Sequence, residues 1–287
     1  MRDFAGKVAV ITGAGRGIGR GIALRCAQEG MKIVLAGIGM ESLTKTAADL
    51  EAMGAETLIV QTDVSQEADV ENLSEQSFAT FGAVDLLVNN AGAAAAAAES
   101  VLASTMDDWN WVMNVNFYGV LYGVRAFIPR MREQKTTSHV VNVSSVAGLT
   151  PGRGGPYRVS KHAVVVLTES LYHELADTAP HVHLSVYCPG WVDSEFYRVD
   201  QSRPERFRTH ATIMTDETRA NWRKKLAAGI SIEESAGILF DGLQHDHFYI
   251  GPKAFQEQIP GVPDALRERT ENVLNEGKPV HLALSRG

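Results

Sequence analysis

Short blocks of apolar residues alternate along this chain with longer stretches in which apolar positions recur every three or four residues. A strand buried on both faces reads as a continuous apolar block, whereas its covering helix needs only one apolar stripe, so the alternation signals strand–helix–strand units and a parallel sheet. Strands are expected at residues 7–11, 32–36, 56–61, 84–88, 139–143 and 183–187, with a short last one at 248–250. Helices are expected at 18–28, 41–53, about 66–80, 157–176 and 231–243, and a long one at about 105–131 carries Trp109, Val112, Val115 and Val120. The pattern predicts an α/β fold with a doubly wound parallel sheet and helices on both faces, in one domain over residues 1–252.

Between residues 194 and 229 the pattern breaks down, with Phe196, Tyr197, Phe207, Met214 and Trp222 set among eight Lys or Arg and five Asp or Glu. So long an irregular stretch inside a compact domain reads as a functional lid. Its arginines suit either a carboxylate or, more simply, a solvated charged face. Residues 253–287 form a tail with a helix expected at 263–275, packed on the body or on a second subunit.

The formal net charge of -7 argues against a general nucleic-acid binder or an anionic-membrane binder. No apolar stretch approaches the roughly 18 residues of a membrane span, and the first residues lead straight into a strand pattern instead of a signal-peptide core. The two cysteines, Cys26 and Cys188, read as reduced, buried small residues, with no metal site expected. The expected location is the cytoplasm.

Polar residues of particular chemistry fall where the strand blocks end. Strand one runs into Thr12-Gly13-Ala14-Gly15-Arg16-Gly17-Ile18-Gly19, a turn whose glycines let the backbone approach a pyrophosphate at a helix N-terminus. Strand three ends in Asp63-Val64, where a carboxylate can accept from an adenine amino group or cap the next helix. Strand four ends in Asn89-Asn90-Ala91-Gly92, strand five in Asn142-Val143-Ser144-Ser145, and strand six in Cys188-Pro189-Gly190-Trp191-Val192-Asp193-Ser194. Asn116 lies mid-helix, where propensity gives it no reason to be. Tyr157 and Lys161, four residues apart behind Pro156, share one helix face about 6 Å apart along the axis. A neighbouring ammonium favours phenolate, so a lowered Tyr157 pKa is expected.

Taken in order, T-G-x-x-x-G-x-G, N-N-A-G, N-x-x-G, S-S, Y-x-x-x-K and P-G over residues 6–251 make the chain resemble a short-chain dehydrogenase/reductase of the one-domain kind. The resemblance implies a seven-stranded Rossmann-like sheet, a nicotinamide dinucleotide, and a catalytic group of Asn116, Ser145, Tyr157 and Lys161. It implies a proton exchanged by Tyr157, a Lys161 bond to the nicotinamide ribose, an oxygen stabilised by Ser145, and a relay water held by Asn116. Gly13, Gly15, Arg16, Gly17, Ile18, Gly19, Gly37, Asp63, Val64, Asn89, Ala91, Gly92, Pro189, Gly190 and Val192 would line the cofactor, with Asn89 and Gly92 near the adenosine-side ribose. Trp191 and Phe196, with Ser145 and Tyr157, would meet the substrate, an apolar or aromatic secondary alcohol or ketone. Family members pair their long helices across a two-fold axis, so a homodimer or homotetramer is expected, with Val164, Val165, Val166 and Leu167 as an apolar stretch to cover.

Departures from the family pattern matter too. The Ser145-to-Tyr157 interval is one residue short, which leaves Ser144 as a rival, and Ser194 replaces the usual threonine. The alanine run at 93–98 can be helical, can open space at the site, or can be engineered. Strand two ends in Gly37-Ile38-Gly39 with no acidic residue for a ribose 2′-hydroxyl, and Arg16 is placed to reach a 2′-phosphate, so NADP is expected over NAD. The leading reading is an NAD(P)-dependent alcohol dehydrogenase or ketoreductase. The alternative is a catalytically silent dinucleotide-binding sensor or scaffold. A nucleotide-sugar epimerase or an enoyl reductase fits the glycine and Tyr–Lys spacings less well.

Overall fold

Each apolar block becomes a strand of one parallel sheet in the computed structural model, which describes residues 1, 3–96, 100–251 and 262–275. The strands are β1 (Val8–Thr12), β2 (Lys32–Gly37), β3 (Thr57–Gln61), β4 (Leu86–Asn89), β5 (Ser138–Val143), β6 (Val182–Tyr187) and β7 (Tyr249–Ile250), in the spatial order β3-β2-β1-β4-β5-β6-β7. The helices are α1 (Gly17–Gln28), α2 (Met40–Ala52), α3 (Glu67–Phe81), α4 (Met106–Met113), α5 (Gly119–Gln134), α6 (Pro156–Thr178), α7 (Asp216–Ala227), α8 (Ile232–Gln244) and α9 (Val262–Leu274).

Alternation along the strands explains the two cores. Ala9 and Ile11 of β1 with Ile33 and Leu35 of β2 point to the face covered by α1, α2 and α8, through Ile22, Leu43, Leu50 and Phe240. Val8, Val10 and Val34 point to the other face, against Leu73 of α3, Phe127 and Met131 of α5, and Leu175 of α6. Strand order reverses between β1 and β4, so their carboxyl ends diverge around a crevice, the place where such sheets take ligands.

Two elements differ from the sequence pattern. The helix expected over 105–131 is α4 and α5 joined by a π-helical turn, Asn114–Tyr118, which carries Asn116. The wider turn costs hydrogen-bond geometry and recurs at functional sites. The lid is less irregular than its composition suggests, for it holds 3₁₀ turns at Glu195–Ser202 and Glu205–Phe207 and the whole of α7. Helix α7 buries only Leu226, so it has almost no apolar stripe for a periodicity reading to find. Both ends of the lid are tied at its base, where Ile230 N–H donates to the Trp191 carbonyl and Asp193 N–H to that of Ile230. In the tail, Arg269 of α9 donates to the Leu149 carbonyl, placing that helix on the body of its own chain. Residues 97 and 98 of the alanine run, and 253–261 and 276–287 of the tail, lie outside the described residues. Ala93–Ala95 are buried and not helical. Both cysteines are buried and free, and no helix among the described residues is long and apolar enough to cross a membrane.

One buried group gives the sheet a pH dependence. His139 of β5 is buried with Nε2 2.8 Å from the Ser185 hydroxyl. Burial, reinforced by the charges of the chain's amino terminus and His183, pushes its pKa down to about 3. An unfolded histidine takes its proton near 6.5, so the unfolded chain binds more protons than the native one below that pH. Stability is therefore complete above pH 6.5 and falls by about 1.4 kcal/mol per pH unit as pH drops toward 3. His162, also shifted down by burial, adds a smaller slope of the same sign. Urea denaturation at stepped pH between 6.5 and 5 should show this slope, and His139→Asn should flatten it. Equal slopes for the two proteins would remove His139 as the cause.

Candidate active site

The loop after β1 is shaped by what its glycines avoid. Gly13 and Gly17 hold φ of +67° and +55°, in the left-handed region. A Cβ on Gly19 would sit 2.4 Å from the Gly13 carbonyl oxygen, and one on Gly15 2.4 Å from the Ser42 hydroxyl. Ile18 packs against the core beneath the loop. Helix α1 begins directly after Arg16, with no acidic residue in its first turn and no side-chain cap. Its first N–H groups are thus open to an external anion, the condition for binding a phosphate. The residues fit the dinucleotide that the glycine spacing implies.

Across the crevice, the Asn90 side chain donates to the Thr12 carbonyl at 2.8 Å, and the Thr12 hydroxyl accepts from the N–H groups of Asn90 and Ala91. This lock between the ends of β1 and β4 sets Ala91 and Gly92 beside the loop. Asn89 is a correction to the expected ribose-side position. Its side chain turns into the molecule, where it donates to Asn142 Oδ1 at 2.9 Å and packs on Gly123. The alternating directions of neighbouring side chains at a strand end explain it, since only one of two consecutive asparagines can face the crevice.

Asn116 is completely buried. Its amide accepts from Ala93 N–H at 2.7 Å and donates to the Ala93 carbonyl at 3.0 Å and the Ser160 hydroxyl at 2.9 Å. It thereby ties the stretch after β4 to the first turns of α6. A Cβ on Gly92 would lie 3.7 Å from both Asn116 Oδ1 and Lys161 Nζ, so both side chains approach the crevice at this glycine.

The two serines after β5 separate by their partners. The Ser144 hydroxyl donates to the Lys161 carbonyl at 2.8 Å and presses on Gly148, a packing role. Ser145 opens the 3₁₀ turn Val146–Gly148, receives Ala147 N–H at 3.1 Å, and hydrogen-bonds the Tyr157 phenol. Arg158 holds the intervening loop by donating to the carbonyls of Ala147, Thr150 and Arg153. The shortened Ser145-to-Tyr157 interval is thus absorbed by an arginine-pinned loop.

The Lys161 ammonium lies 5.7 Å from the centre of the Tyr157 ring and donates to the Val143 carbonyl at 2.9 Å. Burial pushes its pKa down to about 8. The expected lowering of Tyr157 is not present in this geometry. Burial pushes the phenol above its ordinary value, outweighing the Ser145 hydrogen bond and the Arg158 charge. Desolvation wins because the Lys161 ammonium is engaged by the Val143 carbonyl and contributes no lowering at the phenol. Behind Lys161, burial also pushes the Cys188 thiol up to about 12.

Pro189 follows, its carbonyl receiving Val146 N–H at 3.0 Å, then Gly190 and the half-exposed Trp191. Val192 is buried and bridges to Ile230. Phe196 stands over Tyr157 with ring centres 6.2 Å apart and stacks on Trp222 at 6.1 Å, while Ala93, Ala94, Ala95, Trp111 and Val199 complete the same apolar group.

Segment 194–229 touches the phosphate loop and the end of β3. Arg16 bonds the Ser202 hydroxyl, and Ser194 lies over Gly17. Arg206 donates to Asp63 at 2.7 Å and to the Ser65 hydroxyl at 2.6 Å. Burial alone would raise the Asp63 carboxyl, but the bonds from Ser65 and Arg206 hold it below the usual range. Asp63 is therefore a turn and lid partner and not the cap of α3, which follows Gln66. Val64 is buried against Gly119. At the far side Arg203 is buried on Asp108 at 2.7 Å and over the Trp111 ring at 4.7 Å. The positions that motif reading missed are Asn90, Arg158, Arg203 and Asp108. Asn90 stood one residue along inside a motif already noticed, whereas the Arg203–Asp108 pair spans 95 residues and left no local signal.

Comparison with known proteins agrees with this geometry. The short chain dehydrogenase family profile matches residues 7–204. The CLA biosynthesis dehydrogenase/reductase of Lactiplantibacillus plantarum is 34% identical over 98% of each chain. A short-chain dehydrogenase/reductase of Burkholderia phymatum, solved in complex with NAD, is 39% identical over 98% of each chain with a TM-score of 0.89. An alcohol dehydrogenase of the archaeon Thermococcus sibiricus, solved with 5-hydroxy-NADP, is 27% identical with a TM-score of 0.67, covering 83% of this chain and 90% of its own. With the crevice, its glycine cradle and the Ser145–Tyr157–Lys161 group all in place, this chain belongs to the short-chain dehydrogenase family and is an oxidoreductase of that family.

Proposed function

We propose that the protein interconverts a secondary alcohol and a ketone using a nicotinamide dinucleotide. The reading rests on the convergence of Ser145, Tyr157 and Lys161 at the mouth of the crevice. A bound dinucleotide supplies or accepts the hydride. It would lie along Gly13, Gly15, Gly17, Gly19, Gly37, Ala91 and Gly92, with Lys161 on its ribose and Pro189, Gly190 and Val192 against the nicotinamide. Tyr157 exchanges the proton of the substrate oxygen, giving it up as a ketone is reduced and taking it as an alcohol is oxidised. Ser145 donates to the same oxygen, where charge develops in the transition state. Asn116 would hold a water near Lys161 that returns the proton to solvent. Phe196, Trp191 and Trp222 offer an apolar wall, in keeping with an apolar or aromatic substrate under a lid of residues 194–229. A silent sensor is the weaker reading, because every member of the catalytic group is present and in reach of its neighbours.

NADP is the proposed dinucleotide, with NAD as the alternative that the Burkholderia phymatum relative favours. Gly37 leaves no carboxylate at the end of β2 to repel a 2′-phosphate, and Arg16 brings a guanidinium to the loop. A homo-oligomer built on α5 and α6 is proposed too, since Val166 is 59% and Tyr172 51% exposed on the outer face of α6. A cytoplasmic location accords with two free, buried cysteines.

Tyr157→Phe should retain dinucleotide affinity while turnover falls roughly 10²–10⁴-fold, the usual share of general acid–base catalysis; turnover within threefold of wild type would remove Tyr157 from the mechanism. A Cβ on Gly37 would meet nothing nearer than Leu43 at 3.7 Å, so Gly37→Asp should fold. It should move the kcat/KM ratio toward NAD by about ten- to a hundredfold, the worth of a charged hydrogen bond. A wild-type protein that uses NAD tenfold better than NADP would refute the NADP preference. Light scattering at micromolar concentration should give a multiple of the 31.1 kDa chain, and a monomer would refute the helix pairing.

A further inference from the structure

Most of the lid's arginines are surface groups. Arg198, Arg206 and Arg208 have 42–47% of their side chains exposed. Arg203 is different, with 5% exposure, although it carries a charge that no pH near neutrality removes. Nη1 meets Asp108 at 2.7 Å, and the guanidinium plane lies over the indole of Trp111. Nε and Nη2 are buried, and no acceptor among the described residues reaches either. These two nitrogens form one edge of the guanidinium, whose N–H bonds run parallel and match the two oxygens of a carboxylate. Side-chain donors so thoroughly removed from water are costly unless something fills them.

The surroundings say what fits. Trp111 joins Arg203 to the group that contains Tyr157, Phe196 and Val199, so the side chains between the guanidinium and the phenol are apolar. Asp108 balances the arginine charge, but Asp108 is itself served by Thr105 and Thr212 N–H groups at the positive end of α4. With the pair already neutral, an added anion brings net negative charge, so a monoanionic carboxylate costs less here than a dianionic phosphate. We propose that Arg203 anchors a substrate carboxylate side-on through Nε–H and Nη2–H. The substrate is then a hydroxy or oxo acid whose carboxylate is separated from the reacting carbon by an apolar stretch. This assignment rests on the alcohol–ketone reading above.

The probes are acetylbenzoate and straight-chain oxo acids of graded length, each beside its methyl ester. Binding is read from tryptophan fluorescence and thermal shift, and turnover with both dinucleotides. For the best-fitting member the wild-type protein should bind the acid about ten- to a hundredfold tighter than the ester. Arg203→Lys keeps a charge beside Asp108 but has no such edge, and should lower that ratio about tenfold. The double variant Arg203→Met/Asp108→Asn removes the buried pair together and should abolish the ratio; if it does not fold, Arg203→Lys decides. Wild-type binding in which no acid exceeds its ester overturns the proposal, as does a ratio unchanged in the folded variants, which would leave Arg203 as a pin for the lid. Turnover of the esters alone would keep the oxidoreductase reading while the carboxylate anchor falls. Acid-selective binding without turnover of any probe would do the reverse.

Discussion

The Lys161 carbonyl accepts the Ser144 hydroxyl while the Lys161 ammonium reaches back to the Val143 carbonyl, so one residue of α6 is held twice by the end of β5. Both bonds are buried, where each is electrostatically stronger than in water and where its loss leaves an unsatisfied group. The proposed chemistry would depend on this joint. Tyr157 lies one turn before Lys161, and Ser145 one residue after Ser144. Fixing Lys161 to the sheet edge therefore sets the distance between the phenol and the serine hydroxyl. A helix merely packed on the sheet could slide by fractions of an ångström, and misplacement on that scale is expensive at a reacting centre. Burial at this joint lowers the Lys161 pKa, because a dry site disfavours the charged ammonium.

The π turn at Asn114–Tyr118 belongs to the same construction. An uninterrupted α-helix from Met106 to Gln134 would rotate everything after the insertion by about 100° per residue. With the turn in place, Asn116 points at Ala93 and Ser160 while Gly123 meets Asn89 and Phe127 still faces the core. The Asn116–Ser160 bond then ties the π turn to α6, and the network Asn89–Asn142–Thr168 ties the ends of β4 and β5 to the same helix. Such networks fix one arrangement among the many that an all-apolar interface would tolerate.

Legibility followed the range of the forces involved. The strands and their covering helices were readable because burial acts on every second or every third to fourth residue, and β1, β2 and β3 lie within a residue or two of their apolar blocks. Tyr157, Lys161 and the glycine loop were readable because their spacing is itself the geometry. Asn89 misled, since the motif contains two asparagines and only the pleat decides which faces the crevice. Helix α7 was hidden because Asp216–Ala227 is polar on nearly all sides. The phenol's upward shift was hidden as well. Desolvation depends on what covers Tyr157, and the cover, Phe196, arrives from a lid some forty residues later in the chain.

Segment 194–229 shows how a polar stretch can pack beside an apolar group. Its sequence has too few apolar residues to pack as a layer, so it is fastened at charged points: Arg16 to Ser202 at the phosphate loop, Arg206 to Asp63 beyond β3, and Arg203 to Asp108 at α4. Two of these fasteners are half-exposed and worth little each. The third is buried and costly to break, on the order of 3–5 kcal/mol for loss of one partner. Segment 194–229 is thus tied at its base beside Val192 and pinned by a buried ion pair near Trp111. Arg16 and Asp63, the residues that a dinucleotide would contend for, are the ones held by the weak fasteners.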